Sequence, residues 1–190
     1  MSWTITPYAE SSIPDLLGRY FEALGKALTL AQSFEGKCNH YLRVIKVTDA
    51  IENEAAHEEI REIATGYRGR TIGGTLGDGI EDAPEVSESE VQILRDAKDS
   101  RNAIAHGDQH ISEVHSARPG KVYDCVLWMV PHVRNLARGD NLISAWTYQV
   151  TEFEPAPAGI QEKYEKTVLT WVLGGLITEA QAFKQSNPEK

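Results

Sequence analysis

Cysteine is scarce. Cys38 and Cys125 are the only two in 190 residues, and neither sits in a metal-type spacing. A disulfide framework and a zinc site are therefore not expected, and both thiols read as buried and reduced. Positive charge is the minority sign, with 19 Lys and Arg against 28 Asp and Glu and a formal net charge of -9. The charge is spread evenly rather than gathered in a tail, which argues against non-specific binding to nucleic acid or anionic membranes; any RNA contact has to be local. Long apolar runs are missing as well. The longest, Val168 to Ile177, is short and broken by glycine, and the opening MSWTITPYAE has no basic region followed by an apolar one. A cytoplasmic protein with no membrane contact is expected. Internal repeats and low-complexity tracts are also absent. What remains is a chain 41% hydrophobic, enough for a single domain over residues 1–190 with a sizeable core.

Helical periodicity fills most of that chain. Leu17, Phe21, Leu24, Leu28, Ala31, Cys38, Leu42 and Ile45 recur at threes and fours, so Ile13 to Ile51 reads as one long helix or two nearly continuous ones, with Ser12 as its cap. Gly25 and Gly36 weaken it locally. An amphipathic helix is expected from Glu52 to Tyr67. Val122, Val126, Met129, Val133 and Leu136 mark another, kinked or interrupted at Pro131. Asp140 then suits the cap of a further segment, in which the alternation of Trp146, Tyr148 and Val150 fits a strand as well as a helix. A last helix carries Ile160, Tyr164, Val168, Trp171 and Val172, and the tail after about residue 175 reads as loosely held. The expected architecture is an all-α bundle of about five or six helices.

The stretch SESEVQILRDAKDSRNAIAHG, Ser87 to Gly107, is the best specified. Ser87 and Glu90 have capping-box spacing, Val86 and Val91 sit at the staple positions, and Gly107 is placed to close the last turn in a positive-φ conformation. On a helical wheel that takes Ile93 as zero, Ile104, Ala97, Leu94 and Ala105 fall within an apolar arc of about 120°. Asn102, His106 and Asp99 fall at about 180°, 220° and 240°, on one polar face. Arg101 falls at about 80°, inside the apolar arc, where a guanidinium is costly unless a carboxylate, a partner chain or a phosphate satisfies it. Glu35, in the first long helix beside Phe34, is a candidate for that carboxylate. The plainer alternative is a solvated polar face with Arg101 snorkelling past Leu94 to water.

Arg101, Asn102 and His106, spaced Arg-Asn-x-x-x-His just before the helix-ending Gly107, resemble the R-x4-6-H motif of the HEPN superfamily in its Arg-Asn form. The layout is similar too: a long apolar helix with a Phe-Glu step, a Leu-Gly segment ahead of the motif helix, and trailing helices. The resemblance implies an HEPN-like helical bundle, a metal-independent endoribonuclease and a homodimer in which two motifs face each other across a cleft. It also implies a toxin or defence role, with a protein partner or antitoxin. HEPN toxins similar to this chain carry a Tyr two residues after the His, a site of modification by their antitoxin; Asp108 stands here instead, so that control is not implied.

The chemistry suits these residues without the family. Metal-free RNA cleavage needs the 2′-hydroxyl deprotonated, the phosphorane charge stabilised and the leaving 5′-oxygen protonated, giving 2′,3′-cyclic phosphate and 5′-hydroxyl ends. His106 supplies acid or base, at the negative end of its helix. Arg101 offers a permanently charged donor fork, and Asn102 orients phosphate or ring. Asp99 is a weaker auxiliary, about 10 Å along the helix from His106, and Arg118 and Lys121 are placed to meet a phosphate. No cofactor and no DNA substrate are expected. His110, His115, Asp108 and Glu113 make a metal cluster conceivable, but Gly107 keeps His106 and His110 from sharing a helical face, so no metal is assigned. The loop TIGGTLGDG lacks P-loop spacing and reads as a turn. A reading from another class also fits: a non-catalytic helical dimer that binds a nucleotide or a protein. Arg101 in an internal ion pair with His106 buried would favour that reading; both residues lining a cleft would favour cleavage.

Overall fold

The computed structural model describes residues 12–66, 76, 86–107, 114 and 118–187, and among them the regular elements are all α-helices. They are α1 (Pro14–Glu52), α2 (His57–Gly66), α3 (Glu88–His106), α4 (Pro119–Glu152), α5 (Ala158–Leu173) and α6 (Leu176–Ser186). The all-α bundle expected from periodicity is the fold found. No helix among the described residues is long and apolar enough to cross a membrane.

α1 runs unbroken because one side of it is apolar throughout: Leu17, Tyr20, Ala23, Ala27, Leu30, Phe34, Cys38 and Leu42 are buried at steps of three and four. Its N-cap position is Ile13, with no side-chain cap, and not Ser12. Pro14 at N1 needs none for its own nitrogen.

α4 departs furthest from expectation. It is one helix of 34 residues with Pro131 inside it, and the segment around Trp146, where a strand was an alternative, belongs to it. A proline within a helix costs about 3 kcal/mol. Against that, Val122, Val126, Met129, Val133, Leu136 and Ile143 are all fully buried along one side, each contributing about 1.5–3 kcal/mol. Pro131 itself is exposed, so the interruption falls on the outer face and the core stripe wins.

α4 packs against α1, α3, α5 and α6. Side-chain partners give the directions. Ser100 of α3 meets His132 and Asn135, and Glu165 of α5 meets Arg134 and Arg138. Gly139 of α4 lies against Ala97 of α3 while Trp128 lies against Gly107 at the end of α3, so later residues of α4 meet earlier ones of α3, and the α1 contacts of Lys37 with Asp140 and Tyr41 with Trp146 advance together. So α4 is antiparallel to α3 and parallel to α1. The three helices cross at Gly139, where an added Cβ would lie 2.4 Å from Ala97 Cβ and 3.0 Å from Phe34 Cε2. Gly139→Ala is therefore expected to destabilise by about 1–2 kcal/mol, because overpacking of about 1–3 kcal/mol outweighs a helix-propensity gain near 1. Gly25→Ala, with nothing within 4 Å of the new Cβ, should be neutral or stabilising. Urea midpoints of the two variants, moving in opposite directions or not, check this.

The segment after residue 175, expected to be loosely held, forms α6. It buries Leu176 and Ala180 and is tied back by Arg19–Glu179 and Lys184–Asp124 ion pairs and by a tilted ring contact of Phe183 with Tyr123. α5 also differs in detail: Val168 and Val172 face the core, but Ile160 and Trp171 are 64% and 47% exposed.

Candidate functional site

The site is built on the last two turns of α3. At the start of that helix the capping box forms in full, with Ser87 Oγ accepting from the Glu90 amide and the Glu90 carboxylate accepting from the Ser87 amide at 2.9 Å. Its hydrogen bonds hold the Glu90 carboxyl below the usual carboxylate range. Leu94, Ala97 and Ile104 are buried, which sets the rotation of the helix; Ala105, assigned to the apolar arc, is exposed. At the other end Gly107 has φ -70°, so the positive-φ closure does not occur. Glycine is needed there for space, since a Cβ would lie 2.6 Å from Ala103 O and 3.0 Å from Trp128 Cη2.

That rotation turns Arg101 toward α1, where a carboxylate meets it. Arg101 Nη2 and Nε donate to Glu35 Oε2 at 2.6 and 3.1 Å, and the two side chains are 24% and 18% exposed. Arg101 Nη1 donates to Asn102 Oδ1 at 3.2 Å. The arginine that looked misplaced on the wheel is thus satisfied by Glu35, the carboxylate singled out in the first long helix beside Phe34. Asn102 and His106 are both exposed on the next face. The discriminating arrangement is divided: the internal ion pair is present, and the histidine is not buried.

The weaker candidates separate. Asp99 is exposed on the polar face of α3. Arg118 is the N-cap residue of α4 and Lys121 lies in its first turn; both are exposed, and they line a different groove of about 600 Å³ with Phe183 and Asn187. Because Gly107 abuts Trp128, Arg118 and Lys121 stand about 10–15 Å farther along the α4 axis than the motif's end. His110, His115, Asp108 and Glu113 lie outside the described residues, among which no group of three or more potential metal ligands occurs.

Two polar clusters had no sequence signal. Between α3 and α4, Ser100 is buried, accepts from Asn135 Nδ2 at 3.2 Å and lies 3.3 Å from His132 Nδ1, while the His132 ring packs against Trp128 at 4.6 Å with the rings tilted by 59°. Between α1, α4 and α5, Asp140 is fully buried in the middle of α4 and is not a cap. Its Oδ2 accepts from Lys37 Nζ at 2.7 Å and from the Tyr164 hydroxyl, and Lys37 also donates to Ser144 Oγ at 3.0 Å. These cross-helix partners are 24 to 107 residues apart, so only a tertiary contact joins them.

Burial pushes the Tyr164 hydroxyl pKa up, with the Asp140 hydrogen bond adding to it, and burial followed by the charges of Asp140 and Glu35 pushes the Cys38 thiol up. Above roughly pH 9 the unfolded Cys38 ionises while the folded one keeps its proton. The unfolded chain then binds fewer protons, so stability falls as pH rises. The urea midpoint of the wild type should drop between pH 8 and pH 10, and the drop should be shallower in Cys38→Ala.

Fold and site together define an all-helical protein that presents Arg101, Asn102 and His106 at the end of its central core helix. No protein-family model, curated protein or solved structure matches the chain.

Proposed function

We propose that the protein is an HEPN-like, metal-independent endoribonuclease of the cytoplasm. It would cleave RNA to 2′,3′-cyclic phosphate and 5′-hydroxyl ends in the cleft of a homodimer, in a toxin or defence setting. The observation that supports this best is the state of Arg101. Its guanidinium is held in place three-quarters buried and hydrogen-bonded to the adjacent Asn102, which stands one helical turn before the exposed His106. A preorganised cation, an amide and an imidazole are the groups that phosphodiester transesterification needs. A single chain offers one such histidine, and a twofold dimer supplies the second for acid and base to act together. The acidity of the chain fits a structured or partner-delivered RNA better than indiscriminate binding.

The test is incubation of a mixed RNA pool with the protein in excess chelator, with product ends identified and mass measured by light scattering. Cyclic-phosphate ends from a dimer are expected. No cleavage of any RNA by a well-folded dimer would overturn the reading. It would leave the second one, a non-catalytic binding module, which the internal Arg101–Glu35 pair favours because it gives Arg101 a structural use.

A further inference from the structure

Glu35 holds one edge of Arg101 and places a negative charge directly behind the group that is to meet a phosphate. A guanidinium has five N–H donors. Nε and one Nη2 hydrogen go to Glu35 Oε2, and one Nη1 hydrogen goes to Asn102 Oδ1. One N–H on each Nη therefore remains for a ligand among the described residues. The side chain enters that contact with its rotamers already fixed, which is what a phosphate-orienting group needs if its entropy cost is to be met before the reaction.

The charge has a separate consequence. Glu35 makes the pair neutral, so Arg101 attracts an anion less strongly than an unpaired arginine would, and a doubly charged terminal phosphate gains less over a singly charged internal linkage. From this geometry we infer that Glu35 is the positioning residue of the site: it aims Arg101 and weakens ground-state phosphate affinity, which narrows the advantage a doubly charged terminal phosphate would have over an internal phosphodiester. The inference rests on the ribonuclease reading for its kinetic half and on the geometry alone for its binding half.

The two effects have opposite signs when the charge alone is removed. Glu35→Gln keeps a carbonyl oxygen for Arg101 and deletes the charge, so RNA should bind about threefold to tenfold more tightly while kcat falls. Glu35→Ala should lose more of kcat, because nothing then aims the guanidinium. A loss of packing alone would not lower KM and kcat together.

The experiment compares wild type, Glu35→Gln, Glu35→Ala and Arg101→Ala. Steady-state cleavage is measured in chelator, and binding of a non-cleavable 2′-O-methyl RNA by fluorescence anisotropy, with and without a terminal phosphate, after equal helicity is confirmed by circular dichroism. Tighter binding by Glu35→Gln, with the gain larger for the terminally phosphorylated RNA, is expected, together with loss of binding in Arg101→Ala. If the wild type cleaves but Glu35→Gln matches it in both KM and kcat, the inference fails and the ribonuclease reading stands. If no protein cleaves but the binding pattern appears, the ribonuclease reading fails and the role of Glu35 stands. Equal binding by all four overturns the inference outright.

Discussion

Alanine at position 106 is expected to lower RNA cleavage by about 10²–10⁴-fold, the usual worth of a positioned proton-transfer group. His106 is exposed in the last turn of α3, so its truncation removes no core contact and should change stability by no more than about 0.5 kcal/mol. The loss should therefore appear in kcat with an unchanged melting temperature and an unchanged oligomeric state. Asp99→Ala is the internal control: Asp99 is also exposed but lies about 10 Å along the axis, and its removal should alter the rate by less than about threefold on the same acid–base scale. Initial rates on one defined RNA, in chelator, separate the two. Equal rates for wild type and His106→Ala would move the proton transfer away from this helix.

The second large effect concerns stability. Lys37→Met is expected to cost about 3 kcal/mol, because it leaves the fully buried Asp140 without its cation. The lysine is itself 38% exposed, so water relieves part of the penalty and the lower end of the range for broken buried pairs applies. Asp140 Oδ1 has no hydrogen-bond partner among the described residues, which leaves the carboxylate dependent on what Oδ2 receives. Removing the whole cluster should be milder. In Lys37→Met/Asp140→Leu/Tyr164→Phe no charge or hydroxyl is stranded, and buried ion pairs replaced by apolar side chains of similar volume are often neutral. Urea unfolding of the single and triple variants gives the comparison. A triple variant less stable than Lys37→Met would mean that the cluster contributes net stability and does not merely compensate a buried charge.

How far each of these features was legible follows from the range of the interaction involved. The capping box at Ser87 and Glu90 and the apolar side of α1 depend on neighbours three and four residues away, and both formed as expected. The rotation of α3 followed from the same local rule, which is why the Arg101 anomaly was visible on the wheel. Asp140, expected as a cap, stands mid-helix for the opposite reason, and at Pro131 the helix continues. Local propensity treats a proline as a break and an aspartate as a cap, while the fully buried stripe on α4 overrides the first and Lys37, 103 residues away, accommodates the second. Gly107 was expected to matter for its φ and matters for the space it leaves Trp128.

The sequence by itself thus determined the all-helical class, the limits of α1 and α3, and the three residues that face solvent or α1 at the end of α3. Those depend on periodicity and capping, which act within a turn or two of helix. Only the tertiary structure decided that Arg101 is clamped by Glu35, that His132 and Asn135 close on Ser100, and that a buried carboxylate joins α1, α4 and α5. Each of these depends on which helices become neighbours, and that is set by the summed burial of whole faces rather than by any residue's own surroundings in the chain.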